Sequence, residues 1–302
     1  MTLNILGCYA ATPRSFTNPS SQVLEINNHL FLIDCGEGTQ VQLRRNKIKF
    51  SRIKHVFISH LHGDHCYGLV GLISTFRLLN RESELHVYGP KGIKEIITLQ
   101  LKLSNSWTNY PLYFHELTSK EPQMLFEDER VSVETIPLDH RIYTNGFLFK
   151  EKPGDRKLLV HKAREYNIDV SLFNSLKKGK DVTSETGELI PNKLVTANPV
   201  PPKSYAYCSD TAFYPQILPQ IKGTTILYHE STFLEDRANL AAPTKHSTAK
   251  QAATIAKEAH VEKLILGHYS TRYNDLNLFK EEATEIFPDI ELADDGKVFQ
   301  FD

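Results

Sequence analysis

Four potential metal ligands lie within six residues, at His60, His62, Asp64 and His65. They follow the run 56–59, which is short, apolar and β-rich and therefore predicts a buried strand. Neutral imidazole and carboxylate offer unprotonated lone pairs at neutral pH, and both suit zinc. His60 and His62 can point the same way in extended chain, whereas Asp64 and His65 follow a turn at which they can face a second point. This block predicts two neighbouring metal ions, although on its own it could be a solvated, histidine-rich loop.

Further ligand types follow three other strand-like segments. His140 comes after the alternating segment 131–136, Asp210 after 204–209, and His268 after 263–267. Each residue alone is weak, because an isolated histidine or aspartate is more often a surface or capping residue. Their recurrence beyond successive apolar runs predicts one site. A carboxylate such as Asp210 can bridge two cations, and two metals about 3.5–4 Å apart can clamp the attacking and leaving oxygens of a displacement.

The motifs, in this order and over nearly the whole chain, resemble the metallo-β-lactamase superfamily and, within it, the ribonuclease Z family of tRNA 3′-end endonucleases. The block at 59–65 is common to the superfamily. The segments around Glu230 and His246, together with Arg272 and Tyr273, narrow the resemblance to the family. The other matching segments are Leu6-Gly7, Ala11-Thr12-Pro13, Phe31 to Gln40 and Ser209-Asp210-Thr211.

The resemblance implies two zinc ions per subunit, one held by His60, His62 and His140, the other by Asp64, His65 and His268, with Asp210 as the bridge. It also implies that Asp64 orients the attacking hydroxide and accepts its proton. His246 would protonate the leaving oxygen while Glu230 holds its ring, although the position of His246 also fits an exposed residue at a helix start. Arg272 and Tyr273 could hold a phosphate and support a base, or lie in a surface loop.

The metal-ligand candidates extend from position 60 to position 268 of 302 residues, so the site needs both halves of the chain. This spacing favours a single domain over residues 1–302. Two strand-rich halves, each with helices, predict two facing mixed β-sheets flanked by helices, the αββα sandwich of the metallo-β-lactamase fold. Residues 150–189 interrupt the succession of predicted strands and helices and are interpreted as an insertion. The resemblance implies a flexible, tRNA-binding arm there, although the segment 167–171 lacks the Gly-Pro turn of many relatives.

Within this framework, residues 3–59 predict a series of short strands. A helix is predicted to open at 247–250, with Ser247 as its N-cap. Cys66 and Cys208 lie beside proposed ligands, and both are predicted to pack as small hydrophobic side chains. Since there is no secretory signal pattern and no apolar run of membrane-spanning length, the cytoplasm is the expected compartment.

The charge distribution is uneven although the formal net charge is only −1. A run from Arg44 to Lys54 holds six basic residues and no acid, and residues 150–180 hold nine basic residues against four acids. Such concentrations could bind phosphate, or could be two solvated faces.

The resemblance implies cleavage of one phosphodiester in precursor tRNA by a metal-activated hydroxide attacking phosphorus. The tRNA would keep a 3′-hydroxyl and the trailer a 5′-phosphate. A homodimer is also implied, in which the arm of one subunit grips a tRNA cut by the other. Two alternatives stay open. A hydrolase of small phosphodiesters or thioesters would need neither the arm nor the basic run, and a non-catalytic RNA-binding relative would normally have lost some of the seven ligands.

Overall fold

The first of two mixed sheets is built mainly from the N-terminal half of the chain. In the computed structural model, which describes residues 1–301, its seven strands lie in the order β18-β1-β2-β3-β4-β5-β6. Strands β3 to β6 are parallel, and β1, β2 and β18 join them in antiparallel pairs. Their bounds are β1 Thr2–Gly7, β2 Ser21–Ile26, β3 His29–Ile33, β4 Ile53–Phe57, β5 Leu85–Pro90, β6 Leu112–Leu117 and β18 Val298–Gln300.

The second sheet also has seven strands, in the order β17-β16-β15-β14-β9-β8-β7. Strands β14 to β17 run parallel, and β9 pairs antiparallel with β14. Their bounds are β7 Met124–Glu127, β8 Val131–Pro137, β9 Asn145–Glu151, β14 Ser204–Cys208, β15 Ile226–Glu230, β16 Lys263–Gly267 and β17 Ile290–Leu292.

Large aromatic side chains fill the space between the two sheets. Phe31 of β3 lies 5.4 Å from Phe149 of β9, and Phe57 of β4 lies 5.4 Å from Phe147, measured between ring centroids. These rings are fully buried. Burial of such side chains contributes about 1.5–3 kcal/mol each, so this layer holds the two sheets face to face.

Helices cover the outer faces of both sheets. On the first sheet, α3 and α4 bury one apolar stripe each, which includes Leu72 and Ile97. On the second sheet, α10 turns a face of small residues, such as Ala252 and Ala256, toward β15 and β16. The predicted αββα sandwich is therefore confirmed. The helix bounds are α1 Thr39–Arg45, α2 Gly63–Cys66, α3 Leu69–Leu78, α4 Ile93–Leu103, α8 Leu218–Ile221, α9 Ala238–Thr244, α10 Ala249–Glu258 and α11 Asn277–Thr284.

Two local predictions are wrong. Residues 3–59 contain the helix α1 besides strands, and it begins after Gly38, whose φ of 81° is a left-handed conformation that favours glycine. The N-cap of α10 is Thr248 and not Ser247. The Thr248 hydroxyl accepts from the Gln251 amide at 3.2 Å and the Gln251 side chain accepts from the Thr248 amide at 3.1 Å, which forms a capping box. Ser247 instead donates its hydroxyl to the Thr211 carbonyl at 2.8 Å.

Residues Asp128–Arg130 and Glu151–Pro202 form a second compact unit, which extends further than the predicted insertion at 150–189. Its own small core contains Ala163, Ile168, Leu176, Val182, Ile190 and Val195. At 167–171 the chain turns without Gly-Pro, because Asn167 adopts a φ of 51° and the Asp169 carboxylate accepts from the Ser171 amide. The elements are β10 Lys157–Leu158, α5 Val160–Glu165, α6 Phe173–Lys177, β11 Val182–Thr183, β12 Leu189–Ile190, α7 Asn192–Val195 and β13 Thr196–Ala197.

Among residues 1–301, no helix has the combination of length and apolar character needed to cross a membrane.

Candidate metal centre

The predicted ligands lie beyond the carboxyl ends of strands from both sheets. His60 and His62 follow β4, Asp64 and His65 lie on the short helix α2, and the remaining three, His140, Asp210 and His268, follow β8, β14 and β16. Two of them, Asp210 and His268, have φ values of 58° and 60°. Non-glycine residues in this left-handed region cost about 1–3 kcal/mol and persist where the surrounding structure enforces them, often at functional sites.

The first set of ligand atoms is formed by three histidines and one carboxylate oxygen. His62 Nδ1 lies 2.9 Å from His60 Nε2 and 3.4 Å from His140 Nε2. The Oδ2 atom of Asp210 lies 3.5 Å from His60 Nε2 and 3.8 Å from His140 Nε2. These four atoms surround one point at which a cation could sit.

The second set uses the other oxygen of the same bridging carboxylate. Asp210 Oδ1 lies 3.1 Å from both His65 Nε2 and His268 Nε2. Asp64 Oδ2 completes the set at 3.4 Å from His65 Nε2 and 3.6 Å from His268 Nε2. Since its two oxygens face different ligand sets, Asp210 has the geometry of a bridge.

The residues present fit metal ions on three grounds. Four tetrahedral ligands at zinc bond lengths of about 2.0–2.1 Å are separated by about 3.3 Å, close to the spacings found in both sets. The Nε2 atoms of His65 and His268 are buried, and although a carboxylate oxygen lies 3.1 Å from each, neither atom makes a well-directed hydrogen bond within residues 1–301. Such unpaired buried atoms are costly unless something binds them. The donors, imidazole nitrogen and carboxylate oxygen, are also the types that zinc prefers.

A buried carboxylate that the sequence motifs left without a role, Asp34, orients the second set. Its Oδ2 atom accepts from His65 Nδ1 at 2.7 Å, the Tyr207 hydroxyl at 2.6 Å and the Ser59 hydroxyl at 2.9 Å. Its Oδ1 atom accepts from the Ser59 amide at 2.7 Å. This bond to Nδ1 leaves His65 Nε2 with its lone pair directed at the metal site, an arrangement common to metal-binding histidines.

Thr232 orients His268 in the way that Asp34 orients His65. Its hydroxyl lies 2.8 Å from His268 Nδ1 and 2.6 Å from Glu230 Oε2. The hydroxyl therefore links a ligand to the carboxylate that carries His246. Thr232 and Asp34 each lie just after a buried strand, as the candidate ligands do. This strand-end position is the sequence signal that points to both residues.

The electrostatics of the two sets suit cations. Burial lowers the pKa values of His60, His62 and His140, so their imidazoles are neutral and offer lone pairs. At His65 burial acts in the same direction, but the carboxylates of Asp210, Asp64 and Asp34 outweigh it and raise its pKa. This concentration of negative charge favours a bound cation.

Glu230 and His246 form a pair at the edge of the second set. Glu230 is fully buried, and its Oε1 atom accepts from His246 Nδ1 and the Thr211 amide at 2.8 and 2.7 Å. The ring of His246 stacks 5.4 Å from that of His268. Burial alone would lower the pKa of His246, but the Glu230 carboxylate outweighs burial and raises it to about 9. The Glu230 carboxylate therefore favours the cationic form of this imidazole, whose Nε2 is left for another partner.

Arg272 and Tyr273 are adjacent in the sequence, but their side chains lie in different environments. Arg272 lines a cavity of about 360 Å³ together with Asp64, His246 and His268, and its guanidinium lies over the Phe233 ring. We call this the metal cavity. Tyr273 is buried, its hydroxyl accepts from the Leu234 amide at 3.1 Å, and its ring packs against Phe279. Tyr273 is not among the residues that line the metal cavity, because its ring is part of the core.

The cysteines beside the ligands are core residues, as predicted. Cys66 and Cys208 are buried and free. Burial raises the pKa of the Cys66 thiol to about 12, so it is a neutral, apolar group at physiological pH. Neither thiol belongs to the two ligand sets.

The sequence and the fold are similar to those of known proteins. A family model described as anti-Pycsar protein Apyc1 matches residues 1–166. The chain is 47% identical to ribonuclease Z of Bacteroides thetaiotaomicron over 96% of this chain and 92% of that protein. The human tRNase Z, short form, superposes with a TM-score of 0.73 and 26% identity over 99% of both chains. The metallo-β-lactamase-fold protein YhfI of Bacillus subtilis, at 15% identity and a TM-score of 0.69 over 99% and 98% of the two chains, shares the fold. With this similarity over nearly its full length, the chain belongs to the ribonuclease Z family.

Proposed function

We propose that this protein is a zinc-dependent endoribonuclease that removes the 3′ trailer from precursor tRNA. The tRNA keeps a 3′-hydroxyl and the trailer leaves with a 5′-phosphate. The observation that carries the proposal is the pair formed by buried Glu230 and partly exposed His246 beside two ligand sets that share Asp210. Family membership adds the substrate, since relatives at 43–48% identity are named ribonuclease Z.

Two zinc ions per subunit are proposed, one in each ligand set, with Asp210 between them. The imidazole-rich donor sets and their near-tetrahedral spacing support zinc. When bound, the two ions would lower the pKa of a water molecule and neutralise charge on the phosphoryl oxygens.

The chain's own groups move the protons. The carboxylate of Asp64, a residue only 7% exposed, faces the second set and would orient the attacking water and accept its proton. His246 would donate a proton from Nε2 to the departing 3′ oxygen. Its cationic form is maintained by Glu230, which holds Nδ1 and so directs Nε2 away from the core.

Substrate contacts are proposed for Arg272 and for residues 150–189. The Arg272 guanidinium lines the metal cavity, where it could hold a phosphate in a bidentate manner. In the segment 150–189, Lys157, Lys162, Arg164, Lys177, Lys178 and Lys180 are exposed and would bind the phosphates of tRNA. Tyr273 would support the loop that carries Arg272 and not a base, because its ring is packed against Phe279.

The proposed assembly is a cytoplasmic homodimer of single-domain subunits over residues 1–302, in which residues 150–189 of one subunit bind tRNA cut by the other. Analytical ultracentrifugation of the protein with and without tRNA measures this directly. A sedimentation coefficient of a monomer under both conditions would contradict it.

The decisive experiment is cleavage of one precursor tRNA, with and without an encoded CCA end, with both product termini mapped. The expected products are a 3′-hydroxyl and a 5′-phosphate. A 2′,3′-cyclic phosphate would contradict metal-dependent hydrolysis, because it arises when the 2′-hydroxyl attacks. A parallel assay with bis(p-nitrophenyl) phosphate separates the alternatives, since hydrolysis of this small diester without any tRNA cleavage would favour a small-molecule hydrolase.

A further inference from the structure

A second cavity adjoins the metal cavity. Its volume is about 430 Å³, within the range of roughly 300–1,000 Å³ typical of ligand sites. We call it the side cavity. It is lined largely by residues 137–145, the segment that connects β8 to β9 and carries the ligand His140. Arg141 lines both cavities, so the two spaces meet at this side chain.

Arg141 presents an unpaired positive charge at the junction. The residue is exposed, and within residues 1–301 its guanidinium makes no hydrogen bond or ion pair. A guanidinium binds phosphate with two parallel hydrogen bonds. Since its chain neighbour His140 belongs to the first ligand set, a phosphate held by Arg141 would lie next to the reacting phosphate.

The walls of the side cavity contain two aromatic rings. Tyr143 and Tyr214 are both partly buried, and the Tyr143 hydroxyl donates to the Ser119 carbonyl at 2.8 Å, which fixes the ring. Tyrosine rings of this kind stack with nucleobases.

The side cavity has an excess of positive charge, which favours an anionic ligand. Its lining contains three cationic side chains, Lys120, Arg141 and Lys245, against one carboxylate, Asp139. The Asp139 carboxylate is already paired with Lys245 at a distance of 2.5 Å. Lys120 and Arg141 are therefore left for an anionic ligand.

We infer that the side cavity binds one nucleotide of the RNA strand directly beside the scissile phosphate. In this arrangement Arg141 holds the neighbouring phosphate, and Tyr143 and Tyr214 flank the base. The inference rests on the proposed function and extends it to a substrate subsite. The nucleotide belongs either to the last position of the tRNA body or to the first position of the trailer, and both have the same chemistry.

Three precursors distinguish these sources in single-turnover cleavage: the intact RNA, one abasic at the last body position, and one abasic at the first trailer position. Tyr143→Ala is expected to lower kcat/KM on intact RNA about 5- to 150-fold, the contribution of a single base-stacking interaction. One abasic precursor lacks the base that the side cavity would bind, and Tyr143→Ala should cleave it as fast as it cleaves intact RNA. For the other abasic precursor, the loss of kcat/KM relative to intact RNA should be the same in the wild type and in Tyr143→Ala. Tyr143→Phe should retain most activity, because it keeps the ring.

Tyr113→Ala is the matched control, because Tyr113 is 47% exposed on β6 and lines neither cavity. Its cleavage rates should equal those of the wild type. Equal penalties for each abasic precursor in the wild type and in Tyr143→Ala would overturn the inference. An equal loss of kcat/KM in Tyr143→Phe and Tyr143→Ala would also overturn the inference. It would indicate that the hydrogen bond to the Ser119 carbonyl matters and that the ring does not. Thermal melting of each variant identifies one that fails to fold.

A binding measurement separates failure of the subsite from failure of the proposed function. If the wild type does not cut precursor tRNA, the proposed function fails, but the side cavity can still be tested with AMP by isothermal titration calorimetry of the zinc-loaded protein. Arg141→Ala should weaken AMP binding at least about tenfold, the cost of removing a charge-assisted hydrogen bond to phosphate. Equal AMP affinity in the two proteins, or no binding by the wild type, would overturn the inference. This variant also replaces Tyr143→Ala if the latter is unfolded.

Discussion

Replacing Asp34 by asparagine should weaken metal binding without touching a ligand. The carboxylate accepts from His65, Tyr207 and Ser59, and all of these groups are fully buried. In Asp34→Asn the side-chain oxygen can still accept the hydrogen bond from the Ser59 backbone amide. The new NH₂ group, however, would face the hydrogen-bond donors of His65 and Tyr207. His65 would then lose the bond that directs its Nε2 at the ligand set.

The expected size of this effect follows from the hydrogen bonds that the substitution removes. Loss of a carboxylate that orients a metal-binding histidine weakens metal affinity about 10- to 100-fold, which corresponds to about 1.4–2.7 kcal/mol. The two buried donors left without an acceptor should each lower the free energy of unfolding by about 1–3 kcal/mol. Zinc affinity is measured by competition with a chromophoric chelator, and the free energy of unfolding by urea titration of the metal-free protein.

Tyr207→Phe is the matched control, because it removes one donor to the same oxygen and leaves the bond between Asp34 and His65 intact. It should lower the free energy of unfolding by about 0.5–1.5 kcal/mol and leave zinc affinity close to that of the wild type. Wild-type zinc affinity in a folded Asp34→Asn protein would refute the role assigned to Asp34. Equal losses of affinity in both variants would refute it as well, since the effect would then come from packing.

His246→Ala should lower turnover about 10²- to 10⁴-fold, the usual contribution of a general acid, with zinc content unchanged by atomic absorption; loss of zinc would make His246 a ligand. Since the pKa of His246 is raised to about 9, its proton is present at neutral pH, so cleavage should fall as pH rises through about 9. In Glu230→Gln this alkaline limb should move to lower pH, and an unmoved limb would assign it to another group. Arg272→Ala should raise KM for precursor tRNA about tenfold with normal zinc content, as expected when a single hydrogen-bonded phosphate is no longer held. Removal of zinc with EDTA should lower Tm, because the negative charge around Asp210 and Asp64 would lose its counter-ions, and an unchanged Tm would contradict metal binding at these sets.

The strand-end positions of the candidate ligands could be predicted because these positions depend on local sequence pattern. His60, His140, Asp210 and His268 each follow a short apolar run, and a run of that kind predicts a buried strand. Strand ends at one edge of a sheet lie close together, but the meeting of strand ends from two different sheets depends on how the sheets pack. The division of the seven residues into two sets came from resemblance to a family, because spacing alone does not say which oxygen of Asp210 faces which histidine.

The groups that orient the ligands could not be predicted in the same way. Asp34 reaches His65 across 31 residues and Tyr207 across 173, and Thr232 reaches His268 across 36. Such pairs depend on the register of β3 against β4 and on the facing of the two sheets, which no local periodicity contains. Tyr273 shows the converse, since its motif suggested an exposed ring, and only the packing against Phe279 reveals a core residue.

Strain and burial together explain why this site is built across both sheets. Asp34, Asp210 and His268 adopt left-handed backbone conformations with φ between 55° and 60°. Each such residue costs free energy that a flexible loop would release by relaxing. Here Asp34 receives four hydrogen bonds and Asp210 faces histidines of both ligand sets, so relaxation of either would break interactions with several elements at once. The aromatic layer between the sheets therefore contributes to the geometry of the candidate site, because it holds these strand ends at the spacing of the two ligand sets.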